Sequence, residues 1–446
     1  MVSGRYGVYL HTLGCPKNEA DSDTLARRLR AEGVPLVDEP EEATHLVVNT
    51  CGFVESAREE SIGAILEAGA GYPDARLLVM GCLVERYREE LEAGLPEVAG
   101  WYGLSGVEQL VRRLAAEARP MGDALSEASR SNGSADFGAP TFSYLKISDG
   151  CNHLCTFCAI PNIKGPYAAL PLETVVEEAR TALEAGSREL ILVGQDTAVW
   201  REGDVDLLGL VDLLAVDTRV ERLRLLYLQP EHVSERLLAF MADHDTLCRY
   251  LDIPFQHASR SVLRRMGRAG GGDSYLELIH RARDAMPDVS LRSTFIVGFP
   301  GETEDDVEEL LDFISDAGFD HAGVFAYSPE VGTVAADLEG RVPAEIVAER
   351  ATRVGQALID GGAAAAAARV GTRVRVLVEA VGDEDLPEGV WGVGRTCGQA
   401  PDIDGVTYLA EPTPLGVRRG AFVDGVVEES AGYDLVVGVA APAETP

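Results

Sequence analysis

Between residues 6 and 370 the chain repeats one pattern: a short apolar run, a turn, then a stretch of helical period. Strands that alternate with helices have no hairpin partners, so they build parallel sheets with helices on the faces. In the first part the runs are Tyr6–Leu10, His45–Val48 and Leu77–Met80, and the helical stretches Ala20–Ala31, Ser56–Ala68 and Val84–Leu91 follow them. A longer series occupies Phe142 to about Val370. Strands are expected there at Tyr144–Ile147, Leu190–Val193, Leu223–Leu228, Tyr250–Ile253, Leu291–Val297 and Gly323–Ala326. Six such strands suit a partial or full α/β barrel, whose chemistry lies at the carboxyl ends of its strands. An alanine-rich helix around Ala357–Arg369 closes this series.

The pattern breaks twice. Residues 119–140 are polar and include Ser129-Arg130-Ser131-Asn132-Gly133-Ser134, which reads as a linker. From Gly371 the runs Val374–Val378, Val406–Leu409 and Ala421–Val423 are short and separated by glycines and acids, which predicts a small all-β barrel. The expected organisation is therefore an N-terminal α/β unit at 1–118, a linker at 119–140, a central α/β barrel at 141–370 and a β-barrel at 371–441. No window holds 18 uninterrupted apolar residues and no leader-like segment is visible, so a cytoplasmic protein without a membrane span is expected.

Eight cysteines are present, at 15, 51, 82, 151, 155, 158, 248 and 397. In a reducing compartment such a set suits metal binding or catalysis better than disulfides. Gly150-Cys151-Asn152-His153-Leu154-Cys155-Thr156-Phe157-Cys158 follows the strand Tyr144–Ile147 and so lies at the active edge. Three thiolates can hold three irons of a 4Fe–4S cube and leave the fourth open to a small molecule. A structural zinc site is the other reading, but zinc wants four ligands and only His153 stands nearby as a fourth. Cys15, Cys51 and Cys82 each stand just past a predicted strand end, which places them on one sheet edge as a joint metal site; buried packing is the alternative. Cys248 and Cys397 are alone in their regions and are expected to pack.

The loop motif, with Phe157 before its third cysteine, resembles the radical S-adenosylmethionine superfamily. So does Thr294-Phe295-Ile296-Val297-Gly298-Phe299-Pro300-Gly301-Glu302, which is similar to that family's cofactor strand. The resemblance implies that Cys151, Cys155 and Cys158 hold a 4Fe–4S cluster that cleaves S-adenosylmethionine. It also makes Phe157 and Gly298 candidate contacts for that molecule; Gln195, Asp196, Gln256 and His257 stand at strand ends facing the expected cavity, where cofactor or substrate contact and ordinary strand-end hydrogen bonding are both open. Leu13-Gly14-Cys15-Pro16-Lys17-Asn18, Asn49-Thr50-Cys51-Gly52-Phe53-Val54 and Met80-Gly81-Cys82 look like the methylthiotransferase branch. That branch implies a second, auxiliary 4Fe–4S cluster on Cys15, Cys51 and Cys82, and a C-terminal TRAM barrel. It forms a C–S–CH3 group and needs a sulfur donor and a reductant.

Within this branch some members modify a tRNA adenosine. Others modify the β-carbon of an aspartate in small-subunit ribosomal protein twelve. The runs Ile147–Cys151, Ala159–Tyr167, Gly194-Gln195-Asp196-Thr197 and Tyr250–Ser259 resemble the second group. Charge points the same way. The chain carries a net charge of −34, and from Gly371 onward 5 Arg stand against 13 Asp plus Glu, or −8. An acidic surface repels phosphate backbones and suits a basic protein, although solubility alone also accounts for it. The competing classes are a tRNA methylthiotransferase and, outside enzymes, an iron–sulfur carrier or scaffold. One departure from the family pattern is Ala168-Ala169-Leu170-Pro171, where a basic, serine-containing run is usual. Finally, only three of the 39 basic residues are lysines, and Lys17, Lys146 and Lys164 all lie within six positions of a motif cysteine. Roles in tuning a cluster or binding sulfur or carboxylate groups, packing, and chance placement are all open for them.

Overall fold

The computed structural model describes residues 6–118, 140–382, 386–411 and 416–439. Of the linker expected at 119–140, only Pro140 falls within them. The first unit is a parallel sheet of four strands, Val8–Thr12, His45–Thr50, Arg76–Gly81 and Gly100–Tyr102, paired in that order. His45–Thr50 is buried along its whole length, as a central parallel strand must be. Helices Pro16–Ala31 and Val107–Ala118 pack into one apolar core, and Glu55–Gly71 and Cys82–Gly94 into a second. The fourth strand has three residues, too few to show a period in the sequence.

The central unit holds all six expected strands as two parallel sheets of three. Arg222–Leu225, Glu189–Val193 and Phe142–Lys146 form one; Tyr250–Asp252, Ser290–Val297 and His321–Ala326 form the other. An isolated parallel bridge, Leu223 to Leu247, and the Leu228 N–H donating to the Asp252 carbonyl at 2.9 Å link them. The result is an open arc around one continuous core, not a closed barrel. The closing helix runs over Ala344–Ala368, longer than its alanine-rich half suggested, and Ala366 reaches the core of the last unit.

That unit is a closed barrel of five strands: Arg373–Val381, Val390–Arg395, Thr407–Ala410, Asp434–Val439 and Phe422–Ala431. It seats against the amino ends of the central strands. Glu189, the first residue of its strand, is fully buried against Arg224 Nε at 2.7 Å and, from the barrel, Arg395 Nη1 at 3.0 Å. Burial opposes the Glu189 charge, but Arg224, Arg395 and Arg222 outweigh it and hold the carboxyl down at about 2. Tyr250 donates to Asp404 at 2.6 Å and His321 meets the Gly398 carbonyl at 2.8 Å. The carboxyl ends of the strands, where chemistry is expected, therefore face away from the β-barrel and toward the N-terminal unit.

That second junction is also polar. The buried Glu330 carboxylate pairs with Arg58 and, at 2.9 Å, with Arg86, both from the N-terminal unit. Arg86 also donates to the Val331 carbonyl at 2.8 Å.

Candidate functional site

In the N-terminal unit, strand ends and helix starts draw three cysteines together. Cys15 caps helix Pro16–Ala31, Cys51 follows strand His45–Thr50, and Cys82 opens helix Cys82–Gly94. Asn18 ties the three segments. Its amide donates to the Leu13 carbonyl at 2.8 Å and the Thr50 carbonyl at 3.2 Å, and its Oδ1 lies 3.9 Å from Cys82 Sγ. Gly14, at φ +101°, permits the close approach: a Cβ there would meet Cys51 Cβ at 2.8 Å. Burial raises the Cys51 thiol, and raises Cys82 to about 12. Such thiols stay protonated unless a bound metal repays the cost of desolvating their charge.

The second triad lies on the loop after strand Phe142–Lys146. Gly150, at φ +68°, turns the chain so tightly that a Cβ would meet the Pro166 oxygen at 2.1 Å. Thr156 anchors the loop, its N–H donating to the Met266 carbonyl at 2.9 Å and its hydroxyl to the Arg265 carbonyl at 2.8 Å. Burial raises the Cys151 thiol and drives Cys158 up to about 12. His153, the candidate fourth zinc ligand, instead meets Asp196 Oδ2 through Nε2 at 2.7 Å. That hydrogen bond raises its pKa above the ordinary histidine value. His232 Nδ1 reaches the same oxygen at 2.7 Å, so one carboxylate organises two imidazoles beside the loop. His232 lies in a short turn after a strand and carries no motif, so sequence reading passed over it.

The candidate cofactor contacts fall unevenly around this edge. Phe157 is half-buried against the central core. Gln195 is buried with neither end of its amide hydrogen-bonded, and Asp196 Oδ1 is likewise without a partner. Orphaned buried polar atoms at the carboxyl end of a parallel strand are what a polar ligand would satisfy. Gly298 is engaged differently: its N–H donates to Glu302 at 2.9 Å, and Val347 fills the space where a Cβ would stand. His257, expected at the cavity, is fully buried, and its Nδ1 accepts from the N–H groups of Ala258 and Ser259 at 3.0 Å each.

Two of the three lysines join the halves of the site. Lys164 pairs with Asp149 at 3.0 Å and with Asp21 of the N-terminal unit at 3.8 Å. Lys146 pairs with Asp149 at 3.3 Å and also with Asp21. Burial works against the Lys164 ammonium, but Asp21 and Asp149 outweigh it and hold its pKa above the ordinary lysine value. Elsewhere, Cys248 is buried among Tyr144, Ile191 and Tyr250, as a packing residue would be, whereas Cys397, from the β-barrel, is exposed and its carbonyl accepts from Arg224 at 2.9 Å.

An open α/β arc bearing three thiols on the loop after its first strand defines a radical S-adenosylmethionine enzyme. Residues 145–314 match the Radical SAM superfamily, 7–103 match "Uncharacterized protein family UPF0004", and 370–439 match the TRAM domain. Among solved structures, the radical S-adenosylmethionine methyltransferase TsrM from Kitasatospora setae shares the fold. It aligns with a TM-score of 0.50 and 16% identity, over 72% of this chain and 76% of that one.

Curated relatives narrow the class. The ribosomal protein uS12 methylthiotransferase RimO of Moorella thermoacetica is 41% identical over 92% of this chain and 94% of its own length. Its counterparts from Solibacter usitatus and Desulforudis audaxviator are 39% and 40% identical, over 97% and 96% of this chain and 94% and 96% of their own lengths. The chain belongs to this RimO family and is a radical S-adenosylmethionine methylthiotransferase. The class implies a 4Fe–4S cluster and S-adenosylmethionine, and three grouped thiols beside unpartnered polar atoms fit both.

Proposed function

We propose that this chain places a methylthio group on the β-carbon of an aspartate in ribosomal protein uS12. We further infer that two 4Fe–4S clusters serve the reaction, one on Cys151, Cys155 and Cys158 and an auxiliary one on Cys15, Cys51 and Cys82. The observation that carries this reading is that both cysteine triads border one junction: Cys82 packs with Ala159 and Ile163, which follow Cys158 in the chain, and Lys146 and Lys164 reach Asp21 across it. When bound, the first cluster supplies the electron that splits the sulfur–carbon bond of S-adenosylmethionine, giving the radical that removes the β-hydrogen.

The chain's own residues do the rest. Phe157, Gln195 and Asp196 line the S-adenosylmethionine side, with Asp196 held by His153 and His232. Lys146, Lys164, Asp21 and Asp149 fix the distance between the units at 1–118 and 141–370. The barrel at 371–441 presents exposed Asp424, Glu428 and Glu429, a surface suited to a basic protein and unsuited to tRNA. A cytoplasmic location, a sulfur donor and a reductant complete the requirements. Among the described residues no helix is long and apolar enough to cross a membrane.

The test uses the anaerobically reconstituted full chain with dithionite, S-adenosylmethionine, sulfide and purified uS12 or tRNA. Mass spectrometry should find one methylthio group on a single aspartate of uS12. Modified tRNA with unmodified uS12 would overturn the substrate assignment.

A further inference from the structure

Lys17 differs from the other two lysines. Lys146 and Lys164 share Asp21 and Asp149, two cations against two anions. Among the described residues the Lys17 ammonium pairs with no carboxylate; it sits 3.6 Å from the centre of the Tyr227 ring. It stands two residues from Cys15, and the Tyr227 turn beneath it is tied through Thr197 and the neighbouring Asp196 to His153, on the loop that carries the other triad. It is thus an uncompensated cation at the place the two triads share.

Tyr227 is built to hold it there. Its φ is +61°, a left-handed conformation that an aromatic residue adopts only when its surroundings impose it. Asp252 accepts from its N–H at 3.0 Å, and its carbonyl accepts from the Thr197 N–H at 3.0 Å. The turn carries the ring from the end of strand Arg222–Leu225 to the N-terminal unit, under Lys17. A ring on one side of an ammonium leaves its N–H donors on the other side free for an oxygen.

We propose that Lys17, braced on Tyr227, binds the side-chain carboxylate of the acceptor aspartate. This rests on the proposed protein substrate. The carboxylate is bonded directly to the β-carbon, so an oxygen on Lys17 Nζ places that carbon between the two triads. A chain of net charge −34 otherwise repels an acidic side chain, which makes one compact cation at this point a specificity element. A neutral isostere such as asparagine would forgo the charge-assisted bond.

The experiment measures binding of uS12, and of uS12 with asparagine at the acceptor position, to the reconstituted full chain and to Lys17→Met and Lys17→Arg. The wild type should prefer the aspartate form by about tenfold. Lys17→Met should bind both forms alike, and Lys17→Arg should recover part of the preference. A preference kept in Lys17→Met overturns the assignment. So does loss of about four irons in Lys17→Met, since Lys17 would then be serving a cluster. A wild type that binds and modifies neither form of uS12 overturns the substrate reading itself, a result distinct from both.

Discussion

Replacing Glu330 by alanine should uncouple cofactor cleavage from product formation. Glu330 is 3% exposed and pairs with Arg58 and Arg86, whose side chains are 20% and 10% exposed. Its loss leaves two largely buried guanidiniums without a counter-charge, a change that costs about 3–5 kcal/mol in comparable settings. Arg86 keeps its bonds to the carbonyls of Gly52 and Val331, at 3.1 and 2.8 Å, and Arg58 is partly wet. The lower end, about 3 kcal/mol, therefore applies, which is about a hundredfold shift toward an undocked N-terminal unit. Glu330→Gln keeps the shape and one acceptor and should lose about half as much. The assay is the ratio of 5′-deoxyadenosine to methylthio product, read beside amide exchange at residues 52–58. The ratio should rise strongly in Glu330→Ala and modestly in Glu330→Gln. An unchanged ratio with unchanged exchange would refute the idea that this clamp, alongside the Lys146 and Lys164 pairs, helps to dock the N-terminal unit.

Three further outcomes are expected. Changing Cys151, Cys155 and Cys158 to alanine should leave about four of eight irons and abolish cleavage, whereas changing Cys15, Cys51 and Cys82 should keep cleavage and abolish methylthiolation; normal product from the second variant would end the division of labour. The Cys397 thiol is exposed and is held below the ordinary cysteine value by the neighbouring Cys248 and by Arg222 and Arg224. It should be alkylated at neutral pH well before an ordinary thiol, and a rate matching free cysteine would contradict this. Glu189 is held at about 2 against an ordinary 4.5, so it stabilises the fold above pH 4.5 and loses that contribution as pH falls toward 2. The gap between wild type and Glu189→Gln in urea unfolding, about 3 kcal/mol at neutral pH, should shrink over that window; a gap independent of pH would argue against a buried ion cluster.

Much of this was legible in the chain because the signals are local. Parallel strands buried on both faces must be short apolar runs, so His45–Thr50 and Glu189–Val193 announce themselves. A loop that holds iron must space its thiols closely, so Cys151, Cys155 and Cys158 stand together in sequence. Two barrel strands were missed: Val390–Arg395 alternates with glycine, and Asp434–Val439, although its Leu435–Val439 stretch is apolar, was passed over in the acidic tail. What tertiary structure alone decided is which distant groups meet. Nothing near Tyr227 predicts its left-handed turn under Lys17, nothing near Glu330 predicts two arginines from another unit, and Cys248 and Cys397 stand far apart in the chain. Nor does the acidic tail reveal that it seats on the amino ends of the central strands, opposite the cysteines. Periodicity and spacing record what each segment needs from its neighbours in sequence. Pairings between buried charges depend on how whole units dock, and that information is spread over residues with no common local pattern.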